Sequence, residues 1–296
     1  MSKLFDCKFS FLHANIDRSV LDIDLCLQSG QAFRWRKSSD GVWLGAIGDC
    51  GVTLLPGDNG FAWQTFPELG RWQVIESYFA LDVPLHDLYA DWVQSEPRIA
   101  PSLQRFEGLR VLRQEPDEVV FAFLCASCNT IRKISRSVSS LAQRYGKPIP
   151  LPCGETVYQF PKAEQISMAS AEDLREDLWG FRAQRLIKLA GHIAEQGDGW
   201  WAVLRDADYQ QSHNLLEARF GIGAKIADCI CLFALGHDGA VPVDTHVRQV
   251  ATRLFDARWV EKSLTPVLYD TISSAFRERF GPYAGWAQQY LFLEDM

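Results

Sequence analysis

The chain lacks any apolar run near the roughly 18 residues that a membrane span requires. Its start, Met1-Ser2-Lys3-Leu4-Phe5-Asp6, has no apolar core of the secretory-signal kind. An intracellular protein with no membrane partner is therefore expected: cytoplasmic in a prokaryote, nuclear in a eukaryote, with the lack of a basic import tract favouring the former. The eight cysteines are then expected to stay reduced. No cysteine follows Cys231, which excludes a C-terminal four-cysteine iron–sulfur motif. Cys125-Ala-Ser-Cys128 has no second pair at zinc spacing, and Cys229 and Cys231 stand too close together to supply one. Their apolar neighbours Phe121 and Leu124 mark buried thiols, so no metal or cofactor is expected. Repeats and low-complexity linkers are also missing. Basic residues are in the minority, 30 against 37 acidic, for a net charge of −7. This argues against a nucleic-acid partner on the whole-molecule average. Locally the sign reverses: Phe121 to Gly154 contains no acidic residue but has Arg132, Lys133, Arg136, Arg144 and Lys147.

What is present is apolar bulk: 47% hydrophobic residues, including 10 Trp and 18 Phe, enough for a large core. Short apolar runs at Val42–Ile47, Val52–Leu55 and Phe61–Phe66 are separated by Gly/Asp/Asn turns, which predicts an antiparallel meander. Helices are expected around Pro67–Tyr78 and Leu85–Val93. From about Glu115 the spacing becomes helical, as in Ile226, Cys229, Ile230 and Phe233. Breakers at Gly146-Lys147-Pro148, Pro150-Leu151-Pro152, Gly197-Asp198-Gly199, Gly236–Gly239 and Gly281-Pro282 divide this part. The expected fold is α+β: an N-terminal antiparallel β/α domain over 1–112, then an all-α region over 113–296.

The informative segment is Phe220-Gly221-Ile222-Gly223-Ala224-Lys225-Ile226-Ala227-Asp228-Cys229. A helical pattern stops at Gly-x-Gly and restarts at once, predicting a helix-hairpin-helix over about 211–236. Glycines there permit positive φ and let backbone amides approach a phosphate. Alone, this is an ordinary turn. It gains weight from Val241-Pro242-Val243-Asp244-Thr245-His246, which opens the next helix. Asp244 has the position of a helix cap, and a cap also aims its carboxylate in one direction. Lys225 stands in the first turn of its helix, where a cation opposes the macrodipole.

The Gly221–Cys229 and Val241–His246 motifs, with 19 positions between Lys225 and Asp244, resemble the helix-hairpin-helix–Gly/Pro–Asp DNA glycosylases, and among them the eukaryotic-type 8-oxoguanine DNA glycosylase/AP lyases. Ser29–Trp35, Leu109–Gln114, Phe121–Asn129, Gly180–Ala183 and Gly281–Gln288 extend the similarity, in order, over most of the chain. The resemblance implies base excision repair of duplex DNA containing 8-oxoguanine, acting as a monomer on an extruded nucleotide. It makes Lys225 the amine that attacks the sugar and Asp244 the assisting carboxylate. Four residues beyond Lys225, Cys229 shares its helix face; Gln288 and Phe292 are related in the same way. The resemblance gives Phe292 and Cys229 the two faces of the base, Gln288 its Watson–Crick edge, and the Gly30 carbonyl the proton that 8-oxoguanine carries at N7 and guanine lacks. It assigns DNA contacts to Gly221, Gly223, His246, Asn129, Lys133, Phe181 and Arg182.

Three positions depart from the family pattern. Cys128 stands where an asparagine fills the vacated space, Lys133 where an arginine reads the orphaned cytosine, and Phe181 where a tyrosine is usual. A thiol and an ammonium are poor readers of a base edge. A weaker preference for cytosine opposite the lesion is expected. Two other readings are weighed: a monofunctional glycosylase in which Asp244 activates water, which has no need of Lys225, and a non-enzymatic DNA-binding protein, which leaves the Lys225–Asp244 pair without a purpose.

Overall fold

A computed structural model describes residues 11–126, 129–175, 179–197, 199–260 and 262–295. The alternating apolar residues of the first third form a five-stranded antiparallel sheet in the order β1-β5-β4-β3-β2. Its strands are β1 (Leu12–Ala14), β2 (Arg36–Lys37), β3 (Trp43–Ile47), β4 (Cys50–Gly57) and β5 (Gly60–Phe66). The three inner strands are the expected meander, with Leu54 opposite both Trp43 and Trp63. The two edge strands escape the sequence pattern because they are only two and three residues long and largely exposed. Helix α1 (Ile23–Gln28) lies between them in sequence, capped by Asp22 on Leu25. Helices α2 (Trp72–Tyr78), α3 (Leu85–Ser95) and α4 (Ala100–Arg105) follow. The expected helix at Pro67 thus starts five residues later.

The remainder is helical: α5 (Pro116–Ala126), α6 (Ile131–Tyr145), α7 (Ala163–Ser167), α8 (Ala171–Leu174), α9 (Arg182–Ala194) and α10 (Trp200–Asp206). Then come α11 (Tyr209–Glu217), α12 (Ala224–Ile230), α13 (Thr245–Leu254), α14 (Pro266–Phe280) and α15 (Ala284–Asp295). One correction concerns the prolines after α6. Pro148 and Pro150 do not simply break structure but belong to a strand, in a small hairpin of β6 (Pro148–Pro150) with β7 (Thr156–Tyr158). Proline is tolerated there because a two-stranded ribbon leaves half of its amides unpaired. Ile149, Leu151 and Val157 pack on Val42, Leu44 and Phe66 as an apolar cluster separate from the main core.

One hydrophobic core runs from Leu21 to Leu291 and crosses position 112 without a break. The buried Arg34–Glu118 pair, bonded through Nε (2.8 Å) and Nη2 (2.5 Å), ties the sheet half to α5. No helix of the described residues is long and apolar enough to cross a membrane. The six described cysteines carry free thiols.

Two buried carboxyls give the fold a pH signature. Burial pushes Asp117 and Asp228 up to about 6. Unfolded, they ionise near the usual carboxylate value of about 4. Between the two values the folded chain holds protons that the unfolded chain has released, so stability falls as pH rises through that window. Each shift corresponds to roughly 3 kcal/mol. Carboxyls held below their ordinary range, such as Asp256 and Glu96 beside arginines, act in the opposite sense, but only below about pH 4.5. Urea midpoints are therefore expected to drop between pH 4.5 and 6, and the slope to flatten in Asp117→Asn. Midpoints that rise across this interval would contradict the assignment.

Candidate active site

The hairpin is built as its glycines require. Gly221 adopts φ +85°, a region open to glycine but costly for other residues. Gly223 is extended and caps α12 with no side-chain bond to the helix amides. Lys225 is the second residue of that helix, half-buried, with Nζ 4.9 Å from the centre of the Phe123 ring. Phe123 in turn stacks on Phe233, at 5.3 Å and 8°. The helix continues through a π-helical turn, Cys231–Leu235, to Gly236 at φ +78°. That register carries Phe233 onto the same wall.

Asp244 caps α13: its Oδ1 accepts from the Val247 amide at 2.9 Å. Capping fixes the carboxylate's direction and leaves Oδ2 for the cleft. A second carboxylate, overlooked in the sequence, holds the approach to Asp244. Asp228, fully buried on α12, accepts from Tyr209 (2.6 Å) and Tyr269 (2.5 Å). The Tyr269 hydroxyl accepts from the Val243 amide at 3.2 Å. One phenol thus joins the lysine's helix to the residue before Asp244. Burial raises Asp228 to about 6, against the pull of His213 and the two tyrosines.

Gly30, at φ +80°, belongs to a frame set by Gln31. The Gln31 amide donates to Ser29 Oγ (2.8 Å) and the Arg110 carbonyl (2.9 Å), and accepts from the Leu112 amide (2.9 Å). Gln114 Nε2 donates to the Gln31 carbonyl at 3.0 Å, and the Gln114 amide to the Phe233 carbonyl at 2.7 Å. Two of the motif blocks, Ser29–Trp35 and Leu109–Gln114, are therefore two sides of one polar scaffold. It holds Gly30 in place relative to Phe233. A fixed carbonyl is what discrimination between a donor and an acceptor requires.

The last wall is α15. Trp286 Nε1 donates to Asp238 Oδ1 at 2.8 Å, and the Gly285 amide to the Asp238 carbonyl at 2.9 Å. These bonds lock the turn before Pro242 against the helix that carries Gln288 and Phe292.

The elements meet in one solvent-open cleft with a cavity volume of about 50 Å³, well below the few hundred Å³ usual for a formed ligand site. Lys225, Asp244, Gly30, Cys229, Gln288 and Phe292 all line it. Phe123, Phe233, Pro242, Val247 and Gln289 complete it, none of them assigned to the site from the sequence. Burial pushes the Cys229 thiol up to about 12 against the influence of Lys225, so this wall is neutral. A larger groove, of about 640 Å³, runs past Arg71, Arg113 and Gly236 on another part of the surface and brings no amine nucleophile to a carboxylate.

The other described residues singled out in the sequence do not line this cleft. His246 Nδ1 donates to Asp295 Oδ2 at 3.0 Å, and the ring packs edge-on to Phe292. Asp295 is held below the usual carboxylate range: burial pulls it up, but Arg253 and His246 outweigh that. Asn129 turns back to the Cys125 carbonyl at 2.9 Å. Lys133, exposed in the first turn of α6, receives the Thr130 cap at its amide. Phe181 is 83% exposed, with the Arg182 guanidinium 4.4 Å from its ring centre. Cys128 lies outside the described residues. Among the described residues no group of three or more His, Cys, Asp or Glu is placed to hold a metal ion.

An amine and a capped carboxylate on one cleft suit nucleophilic displacement at an electrophilic carbon, with the carboxylate stabilising positive charge. Residues 122–266 match the family described as "HhH-GPD superfamily base excision DNA repair protein", which defines the class. Residues 13–120 match "8-oxoguanine DNA glycosylase, N-terminal domain". N-glycosylase/DNA lyase OGG1 of Arabidopsis thaliana is 33% identical over 95% of this chain and 79% of its own length. The N-glycosylase/DNA lyase of Saccharomyces cerevisiae is 29% identical over 97% and 87%. A solved structure of the Clostridium acetobutylicum 8-oxoguanine glycosylase/lyase with DNA containing cytosine opposite 8-oxoguanine superposes with TM-score 0.84, at 25% identity, covering 97% of each chain. The chain belongs to the 8-oxoguanine DNA glycosylase family of helix-hairpin-helix–Gly/Pro–Asp repair proteins.

Proposed function

We infer that the protein is a bifunctional DNA glycosylase/AP lyase that removes 8-oxoguanine from duplex DNA. The observation that carries this reading is the convergence of Lys225, Asp244 and Gly30 on one cleft beside a glycine hairpin. The lesion nucleotide swings out of the duplex and its base enters between Cys229 and Phe292, with Gln288 at its edge. The N7 proton of 8-oxoguanine donates to the Gly30 carbonyl, which would repel the lone pair of guanine. The unprotonated Lys225 amine forms a bond to C1′ as the C1′–N9 bond breaks, and the base leaves with the bond pair and takes up a proton. Asp244 stabilises the charge that develops on the sugar. Opening of the ring leaves a protonated imine. It acidifies the C2′ proton, whose removal expels the 3′ phosphate and cuts the strand.

In this reading residues 1–112 supply the Gly30 carbonyl, and 113–296 supply the rest of the base pocket and the chemistry. Gly221, Gly223 and His246 take backbone phosphates; Phe181, Arg182, Asn129 and Lys133 face the opposite strand. The reaction needs no cofactor, and the protein acts as a monomer in the compartment that holds the chromosome. The reading is tested on a duplex with 8-oxoguanine opposite cytosine, scoring base release and strand cleavage separately. Both are expected. An untouched lesion would overturn the reading, and base release without any cleavage would replace it with water activation by Asp244.

Opposite-base choice is a finer prediction of the same assay. The exposed Lys133 offers a point charge instead of a planar fork. The preference for C over A, G and T is expected to be about 5- to 150-fold weaker than with a bidentate reader at this position, since one such contact contributes about 1–3 kcal/mol of discrimination. Activity confined to the C-opposed lesion would refute it.

A further inference from the structure

The hairpin does not stand alone on its surface. Helix α9 runs beside it, and two of its exposed cations, Arg185 and Lys188, are seated on the hairpin itself. They are one turn apart, on the same face. Arg185 Nη2 donates to the Gly221 carbonyl at 2.9 Å. Lys188 Nζ lies 4.1 Å from the centre of the Phe220 ring, and Phe220 is itself 40% exposed. Neither cation has a carboxylate within ion-pair distance among the described residues. Among the described residues, a guanidinium bonded to a neutral carbonyl, beside an ammonium resting on an aromatic face, forms an anchored positive pair without a carboxylate partner on a chain of net charge −7.

We propose that Arg185 and Lys188 are a second phosphate clamp, extending the hairpin's grip to further backbone phosphates of the duplex. Anchoring matters here. The Gly221 bond and the Phe220 ring hold two long side chains in the conformation that meets DNA, which reduces the ordering cost of contact. The clamp reads no base, so its contribution is electrostatic and acts on any sequence. The inference rests on the reading of the protein as a DNA repair enzyme and adds a surface to it.

Two phosphates neutralised contribute about 1.8 to the slope of log K against log salt. The test compares wild type with Arg185→Gln/Lys188→Gln and with the charge-preserving exchange Arg185→Lys/Lys188→Arg. Binding of an 8-oxoguanine duplex is measured from 50 to 200 mM KCl, after circular dichroism has established folding. Over that fourfold range wild type should lose about twelvefold more affinity than the glutamine pair, and the charge-preserving pair should retain the wild-type slope. An unchanged slope in the glutamine pair would overturn the clamp. So would an equal loss in the charge-preserving pair, because the role would then be hairpin geometry. If wild type itself fails to bind the duplex, the repair reading fails, and not the clamp alone.

Discussion

Lys225→Gln is expected to abolish the covalent intermediate and strand cleavage completely, and to slow base release by more than about a thousandfold, the scale on which enzymes lose activity with their covalent nucleophile. The amide cannot attack C1′, and no other amine lines the cleft among the described residues. The fold should tolerate the change. Lys225 gives up a contact with the Phe123 ring of about 1 kcal/mol or less. It also removes a cation from a helix N-terminus, where the dipole opposes it. Duplex binding should persist. Single-turnover assays on 8-oxoguanine duplex, with a binding control, check this. Base release at wild-type rates in the variant would show that water, not Lys225, displaces the base.

Asp244 separates charge from capping. Asp244→Asn keeps an oxygen for the Val247 amide and loses only the charge; Asp244→Ala loses both. Asparagine should therefore leave the melting temperature nearly unchanged and cut single-turnover excision about 10²–10³-fold, the usual loss when an electrostatic stabiliser is removed. Alanine should show the same kinetic loss and a further destabilisation of about 1 kcal/mol. Wild-type rates in the asparagine variant would reduce Asp244 to a cap.

The parts of this molecule that could be read from the sequence were the local ones. Strands β3, β4 and β5 announce themselves because glycine, aspartate and asparagine turns join neighbours that also pair. Lys225 with Cys229, and Gln288 with Phe292, follow from helical spacing, and Asp244 from its place at a helix start. Long-range polar pairing was not legible. Gln31 bonds to Arg110 and Leu112, and Asp228 to Tyr269 forty-one positions away. Nothing in the local pattern around a buried glutamine or aspartate names such partners. The Pro148–Tyr158 hairpin was missed for a different reason: its prolines carry the signature of a loop, and only pairing with a single neighbour makes them compatible with a strand. Phe123 and Phe233 read as core because they are core on one side and cleft wall on the other.

On this reading, excision and strand cleavage both depend on a bond between the Lys225 amine and the sugar. Borohydride reduction during turnover of an 8-oxoguanine duplex, followed by proteolysis and mass spectrometry of the cross-linked peptide, tests it most directly. The expected product is a single adduct carrying the reduced sugar on Lys225. An adduct on any other amine, or excision that proceeds with none, would contradict it.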